Sequence, residues 1–243
     1  MNTQKITALP IRGLLTIGLA TSTTLLATSA QAFNFSSVGT WSNPVGNVAT
    51  VNYQTVGSDN QVRWGDPIGP EKSGLGFTGN NGTANFGDTI ALGLLSSFNR
   101  TIAGGTGISG VDLKLNLGFG GTLPIPNQNF TFKLAIDETP NAAPCAYPGE
   151  TVCSDRISFT NTTSSNIFSV GGTDYTLQLL GFSSAPGGTP INEFFSEEDG
   201  ANRTQLYGRV VESAAVPEPT TMAGLALAGG GLAAMRRRRK AQG

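Results

Sequence analysis

SGVDLKLNLGF, residues 109–119, decides the fold class. Val111, Leu113, Leu115, Leu117 and Phe119 fall on one face of an extended chain, and Asp112, Lys114 and Asn116 on the other. A period of two is the pattern of a strand with one face in the core. NFTFKLAID, residues 129–137, repeats it with Phe130, Phe132, Leu134 and Ile136, and DYTLQLLGF, residues 174–182, with Tyr175, Leu177 and Leu179. Shorter segments at 48–56, 61–64, 83–86, 89–95, 156–160, 166–170 and 205–211 predict further strands. The turn clusters GSDN, TGNNG, AGGTG and SAPGG punctuate them. About ten short strands without helical periodicity predict an all-β fold: a single antiparallel β-sandwich, jelly-roll-like in arrangement. A β-helix would need a repeat of roughly twenty residues, and none occurs. Segments 138–155 and 191–203 read as exposed loops, the first clipped by a disulfide.

Outward from this body, the two ends differ in kind. Residues 1–12 carry Lys5 and Arg12 and no acid, an apolar small-residue stretch follows, and Ala30-Gln31-Ala32 closes it. That order predicts a signal peptide over residues 1–32, cut after Ala32 and read by the Sec translocon. At the far end stand Pro217-Glu218-Pro219, a small-residue apolar run at 220–235, and Arg236, Arg237, Arg238, Arg239 and Lys240. Sixteen helical residues would span about 24 Å, short of the roughly 30 Å bilayer core. Gly229-Gly230-Gly231 weakens that helix further. The segment is expected to insert only transiently, with its basic tail held on the cytoplasmic side. The chain therefore divides into a signal peptide (1–32), a β-sandwich domain (33–215) and a C-terminal signal (216–243).

The ends also hide the charge of the body. The whole chain has a net charge of −1. Residues 33–215 hold eight Lys and Arg against fifteen Asp and Glu, a net charge near −7. An acidic body has no electrostatic footprint for nucleic acid. The two cysteines, Cys145 and Cys153, flank Pro148-Gly149, and in an exported chain they are expected to form a disulfide.

The chain contains no histidine. This excludes Ser-His-Asp and Cys-His machinery and HExxH zinc sites. No phosphate-cradling G-x-x-x-x-G-K-[ST] loop occurs either. A glycan hydrolase or lyase needs only two carboxylates across a cleft, for which Asp66, Asp137, Glu138, Asp155, Glu193 and Glu198 are candidates. No cofactor is expected. Calcium is the weaker expectation, at Asp59-Asn60 or Glu197-Glu198-Asp199, without the D-x-[DN]-x-[DN]-G loop. Trp41 and Trp64, the only tryptophans, could stack on a sugar ring or pack between sheets. Arg63 is expected to pair with Asp66 or a neighbour.

The order of Pro-Glu-Pro, apolar segment and basic tail resembles the PEP-CTERM sorting signal of Gram-negative bacteria. That resemblance implies processing by an exosortase and delivery to the cell surface or extracellular matrix, often beside exopolysaccharide. GTWSNPVG (39–46), VRWGDP (62–67), SGLGFTG (73–79) and the DETPN…C…C…DRISF segment (137–159) resemble the THxN-type PEP-CTERM and choice-of-anchor K domains. The Thr-His-x-Asn signature aligns with Ser96-Ser97-Phe98-Asn99, so threonine and histidine are both replaced. The resemblance implies no established activity. The expectation is thus a non-catalytic, exported surface or matrix protein, with a carboxylate-dependent glycan hydrolase or lyase as the alternative.

Overall fold

The computed structural model describes residues 32–121, 125–141, 143–147 and 153–213. The expected signal peptide, Ala30 included and Ala32 excepted, and the C-terminal signal lie outside these residues, and so do the two terminal helices expected there; Ala32 is the first residue of the first strand. Among the described residues the chain is built of strands, with one short 3-10 turn at Val48–Thr50.

The strands are β1 (Ala32–Gly46), β2 (Asn52–Val56), β3 (Asp59–Trp64), β4 (Ser73–Gly79), β5 (Asn81–Asn85), β6 (Ile90–Phe98) and β7 (Ile108–Gly120). They continue as β8 (Gln128–Asp137), β9 (Asp155–Phe159), β10 (Phe168–Val170), β11 (Thr173–Ser183), β12 (Glu193–Ser196) and β13 (Ala201–Glu212). One sheet has the order β12-β9-β8-β7-β1-β5 and the other β10-β11-β13-β6-β4-β3-β2, with every pairing antiparallel. The sandwich is as expected, but its jelly-roll arrangement is not. The meanders β2-β3-β4 and β7-β8-β9 each stay within one sheet, whereas a jelly roll is an eight-stranded double Greek key.

The alternating segments behave as their pattern dictates. Val111, Leu113, Leu115, Leu117 and Phe119 of β7 meet Phe130, Phe132, Leu134 and Ile136 of β8 and Tyr175, Leu177 and Leu179 of β11 in one core. In β11 a bulge at Leu179–Gly181 shifts the register, which brings Phe182 inward as well.

The longest strand, β1, was not predicted. Its inward positions are Phe33, Phe35, Ser37, Gly39 and Trp41, so a serine and a glycine interrupt the apolar signal. Both are there because the sheets approach closely. A side chain at Gly39 would place its Cβ 2.3 Å from the Phe77 ring of the opposite sheet. Ser37 donates from Oγ to the carbonyl of Leu92 in β6 and accepts from the Asn80 N–H at 2.9 Å. Asn80 is the single residue between β4 and β5, where the chain passes from one sheet to the other.

Two further expectations are corrected. Residues 191–203 are not one exposed loop: they hold β12, which pairs with β9, and the start of β13, and Ser196 is fully buried. Residues 48–51 are not strand, because the 3-10 turn precedes β2.

Candidate functional site

The two ends of the sandwich differ in chemistry. At one end, the rings of Phe33, Phe86, Tyr175, Phe168 and Phe119 form a closed circuit with successive centroids 4.3–6.0 Å apart. At the other, three carboxylates gather: Glu138 just past β8, Asp155 at the start of β9, and Glu198 just past β12.

Each carboxylate accepts hydrogen bonds from the protein. Trp64 donates its indole N–H to Glu138 Oε1 at 2.9 Å. Thr139 donates its backbone N–H to Asp155 Oδ1 at 2.8 Å. Thr101 Oγ1 and Asn141 Nδ2 donate to Glu198 Oε1 at 2.8 and 2.9 Å. Donors on three separate segments, at Trp64, Thr101 and 139–141, are thus tied together at this end.

The electrostatics follow from burial. Asp155 is 5% exposed, and burial pushes its carboxyl up to about 8, with the charges of Glu138 and Glu198 adding to the effect. Burial also raises Glu138, against the lowering hydrogen bond from Trp64, and it raises Glu198. A groove of about 860 Å³ opens beside this cluster, between the 101–109 loop and residues 136–141. Glu138 lines it; Asp155 and Glu198 do not. Among the described residues, no three His, Cys, Asp or Glu are arranged to hold a metal ion.

The other candidates are dispersed. Asp66 is exposed in the β3–β4 loop. Asp137 and Glu193 flank Arg156, at 3.5 and 3.9 Å, and Tyr147 donates its hydroxyl to Asp137. Asp59 and Asn60 occupy successive strand positions and turn apart. Asp59 accepts from Gln61, while Asn60 reaches across to the Gly39 carbonyl. Glu198 turns inward from its exposed neighbours Glu197 and Asp199.

Trp41 and Trp64 are core residues, 8% and 2% exposed, so neither presents a ring face for sugar stacking. Each indole instead links the sheets: Trp41 donates to the Asn60 carbonyl at 2.8 Å and Trp64 to Glu138. Arg63 forms no ion pair with Asp66; its guanidinium lies 4.2 Å over the Phe98 ring. The disulfide is present, Cys145 to Cys153, with Cα atoms 5.0 Å apart. Asn99, in the segment aligned with Thr-His-x-Asn, is buried and donates to the Ser196 carbonyl at 2.9 Å. Sequence reasoning did not foresee that bond, since it joins residues 97 positions apart.

Among the described residues, no helix is long and apolar enough to cross a membrane. The described body is an all-β sandwich with an intrachain disulfide in the connection between β8 and β9. Residues 215–240 match the PEP-CTERM protein-sorting motif, so the chain carries a PEP-CTERM sorting signal. That motif marks it as an exported, surface-directed protein and implies processing by an exosortase. Pro217, Glu218, Pro219 and the basic tail 236–240 all fall within the match. No curated protein matches the chain.

Proposed function

We propose that the sandwich is a non-catalytic component of a bacterial cell surface or extracellular matrix, associated with exopolysaccharide. Signal cleavage after Ala32 and exosortase processing near Pro217-Glu218-Pro219 would release it from a transient membrane stage. The observation that carries this reading is the use made of the gathered carboxylates. Glu138, Asp155 and Glu198 each accept from a side chain or backbone of another segment, and only Glu138 faces the groove. Their work is to tie loops together. The buried donor of Asn99 supports the same structural emphasis.

One observation favours the alternative, a carboxylate-dependent glycan hydrolase or lyase. Glu138, its pKa raised by burial, stands at a groove large enough for a sugar unit. Asp137 also lines this groove, but it is engaged by Arg156 and by the Tyr147 hydroxyl, which places this reading second.

The full chain expressed in its own bacterium tests both. The proposal expects the mature protein in the matrix fraction, without peptides from 236–240 by mass spectrometry. It also expects no shortening of the isolated matrix polysaccharide. Recovery with an intact basic tail, or uniform distribution into the culture medium, overturns it. Polysaccharide cleavage that is lost in Glu138→Gln establishes the alternative.

A further inference from the structure

A second concavity lies on the outer face of the seven-stranded sheet, and the strand register explains it. Asn52 of β2, Arg63 of β3, Gly74 of β4 and Phe98 of β6 form one cross-strand row. Gln54, Gln61, Gly76 and Ser96 form the next. Glycine at 74 removes the side chain that would separate Arg63 from Phe98. A Cβ there would lie 2.5 Å from Arg63 Cδ. The arginine stem therefore crosses bare backbone and lays its guanidinium on the aromatic face, a cation–π contact. The result is a groove of about 420 Å³ walled by β2 and by the loop residues Glu71, Lys72 and Arg100.

The charges around it are unusual for this molecule. Arg63, Lys72 and Arg100, three of the eight cations in residues 33–215, line one groove of a strongly acidic body. Glu71 is committed to Arg100 at 3.0 Å. Asp59 accepts from Gln61 and Thr78. Lys72 donates to the Thr50 carbonyl at 2.6 Å. Arg63 is 7% exposed, donates to the Lys72 carbonyl, and pairs with no carboxylate among the described residues. Glu71 and Asp59 act on Arg63 only at longer range; a buried guanidinium without a direct ion-pair partner is costly, and its fixed fork matches a carboxylate. Around it stand Asn52, Gln54 and Gln61, amides whose donors and acceptors suit hydroxyl groups.

We infer that this groove binds the carboxylated sugar units of an anionic polysaccharide, with Arg63 as the carboxylate receptor and Asn52, Gln54 and Gln61 reading the neighbouring hydroxyls. The inference rests on the matrix-association reading and gives it a ligand class and a site. Gln54 is already oriented, donating to Gln61 Oε1 at 2.9 Å, and Gln61 in turn donates to Asp59. The groove is therefore built before a ligand arrives, which lowers the ordering cost of binding.

The test uses the processed protein recovered from cells, titrated calorimetrically with oligogalacturonate, a neutral dextran oligosaccharide and dextran sulfate. Binding of oligogalacturonate that weakens with added salt, with no binding of neutral dextran, is expected. Arg63→Lys keeps the charge but loses the fork, and should weaken binding about tenfold or more. Gln54→Ala, exposed on the edge strand and harmless to folding, should weaken it about threefold. Dextran sulfate bound as tightly, with both variants unchanged, would show diffuse charge attraction and overturn the inference. Retention on the producer's matrix without oligogalacturonate binding overturns the site and leaves the matrix reading standing. Failure of retention and of binding together removes both.

Discussion

The aromatic end and the carboxylate end of this sandwich solve opposite problems. The circuit of Phe33, Phe86, Tyr175, Phe168 and Phe119 is apolar and fills space. Aromatic pairs of this kind add about 0.5–1.5 kcal/mol each beyond the area they bury. The end around Glu138, Asp155 and Glu198 instead holds polar groups in a place that disfavours their charged forms. Stability is thus concentrated at one end, while the other accepts a penalty to fix its loops around a groove.

The largest effect should come from breaking the aromatic end. Phe33 is 1% exposed and touches two other rings. Phe33→Ala should cost about 3–5 kcal/mol in denaturant unfolding, from lost burial and a cavity. An effect no larger than that of a surface substitution would mean the circuit contributes little.

The carboxylate end should respond to pH instead. Asp155 has a folded value of about 8 against an ordinary 3.8. Between these pH values the native state holds a proton that the unfolded chain releases. Stability therefore falls as pH rises through about 4 to 8, and the penalty is complete above that window. Asp155→Asn keeps an oxygen for the Thr139 donors and removes the charge. It should flatten this slope and stabilise the protein by about 2–4 kcal/mol above pH 8. An unchanged slope in urea titrations across the window would refute the assignment to Asp155.

Smaller effects sharpen the contrast. Trp64→Phe retains most of the packing but removes the donor to Glu138, and should cost about 1–2 kcal/mol. Glu71→Gln breaks the ion pair to Arg100, in which Glu71 is half exposed. It should change thermal stability by under about 1 kcal/mol.

Legibility in the sequence followed the same division. β7, β8 and β11 were readable because their inward positions are uniformly apolar. β1 and β4 were not, since Ser37, Gly39, Gly74 and Gly76 stand where sheets or side chains come too close for larger residues. Of the two readings of Trp41 and Trp64, burial favours core packing over ring stacking, and the disulfide followed from compartment and spacing. The carboxylate cluster could not be read, because Glu138, Asp155 and Glu198 meet only through the sheet order. The Arg63 groove was hidden for the same reason: its rows are a property of register, which four strands determine jointly.

The direction of β13 bears on the proposed sorting stage. The strand ends at Glu212, opposite Tyr175, and β1 begins at Ala32, beside Asn85. The first residue of β1 and the last of β13 therefore both lie at the aromatic end of the sandwich. Pro217 follows Glu212 by five positions, a tether that reaches at most about 18 Å when fully drawn out. On the proposed transient membrane stage, so short a tether would keep the aromatic end toward the bilayer. The Glu138 groove and the Arg63 end of the sheet, at the opposite end of the sandwich, would then face away from it.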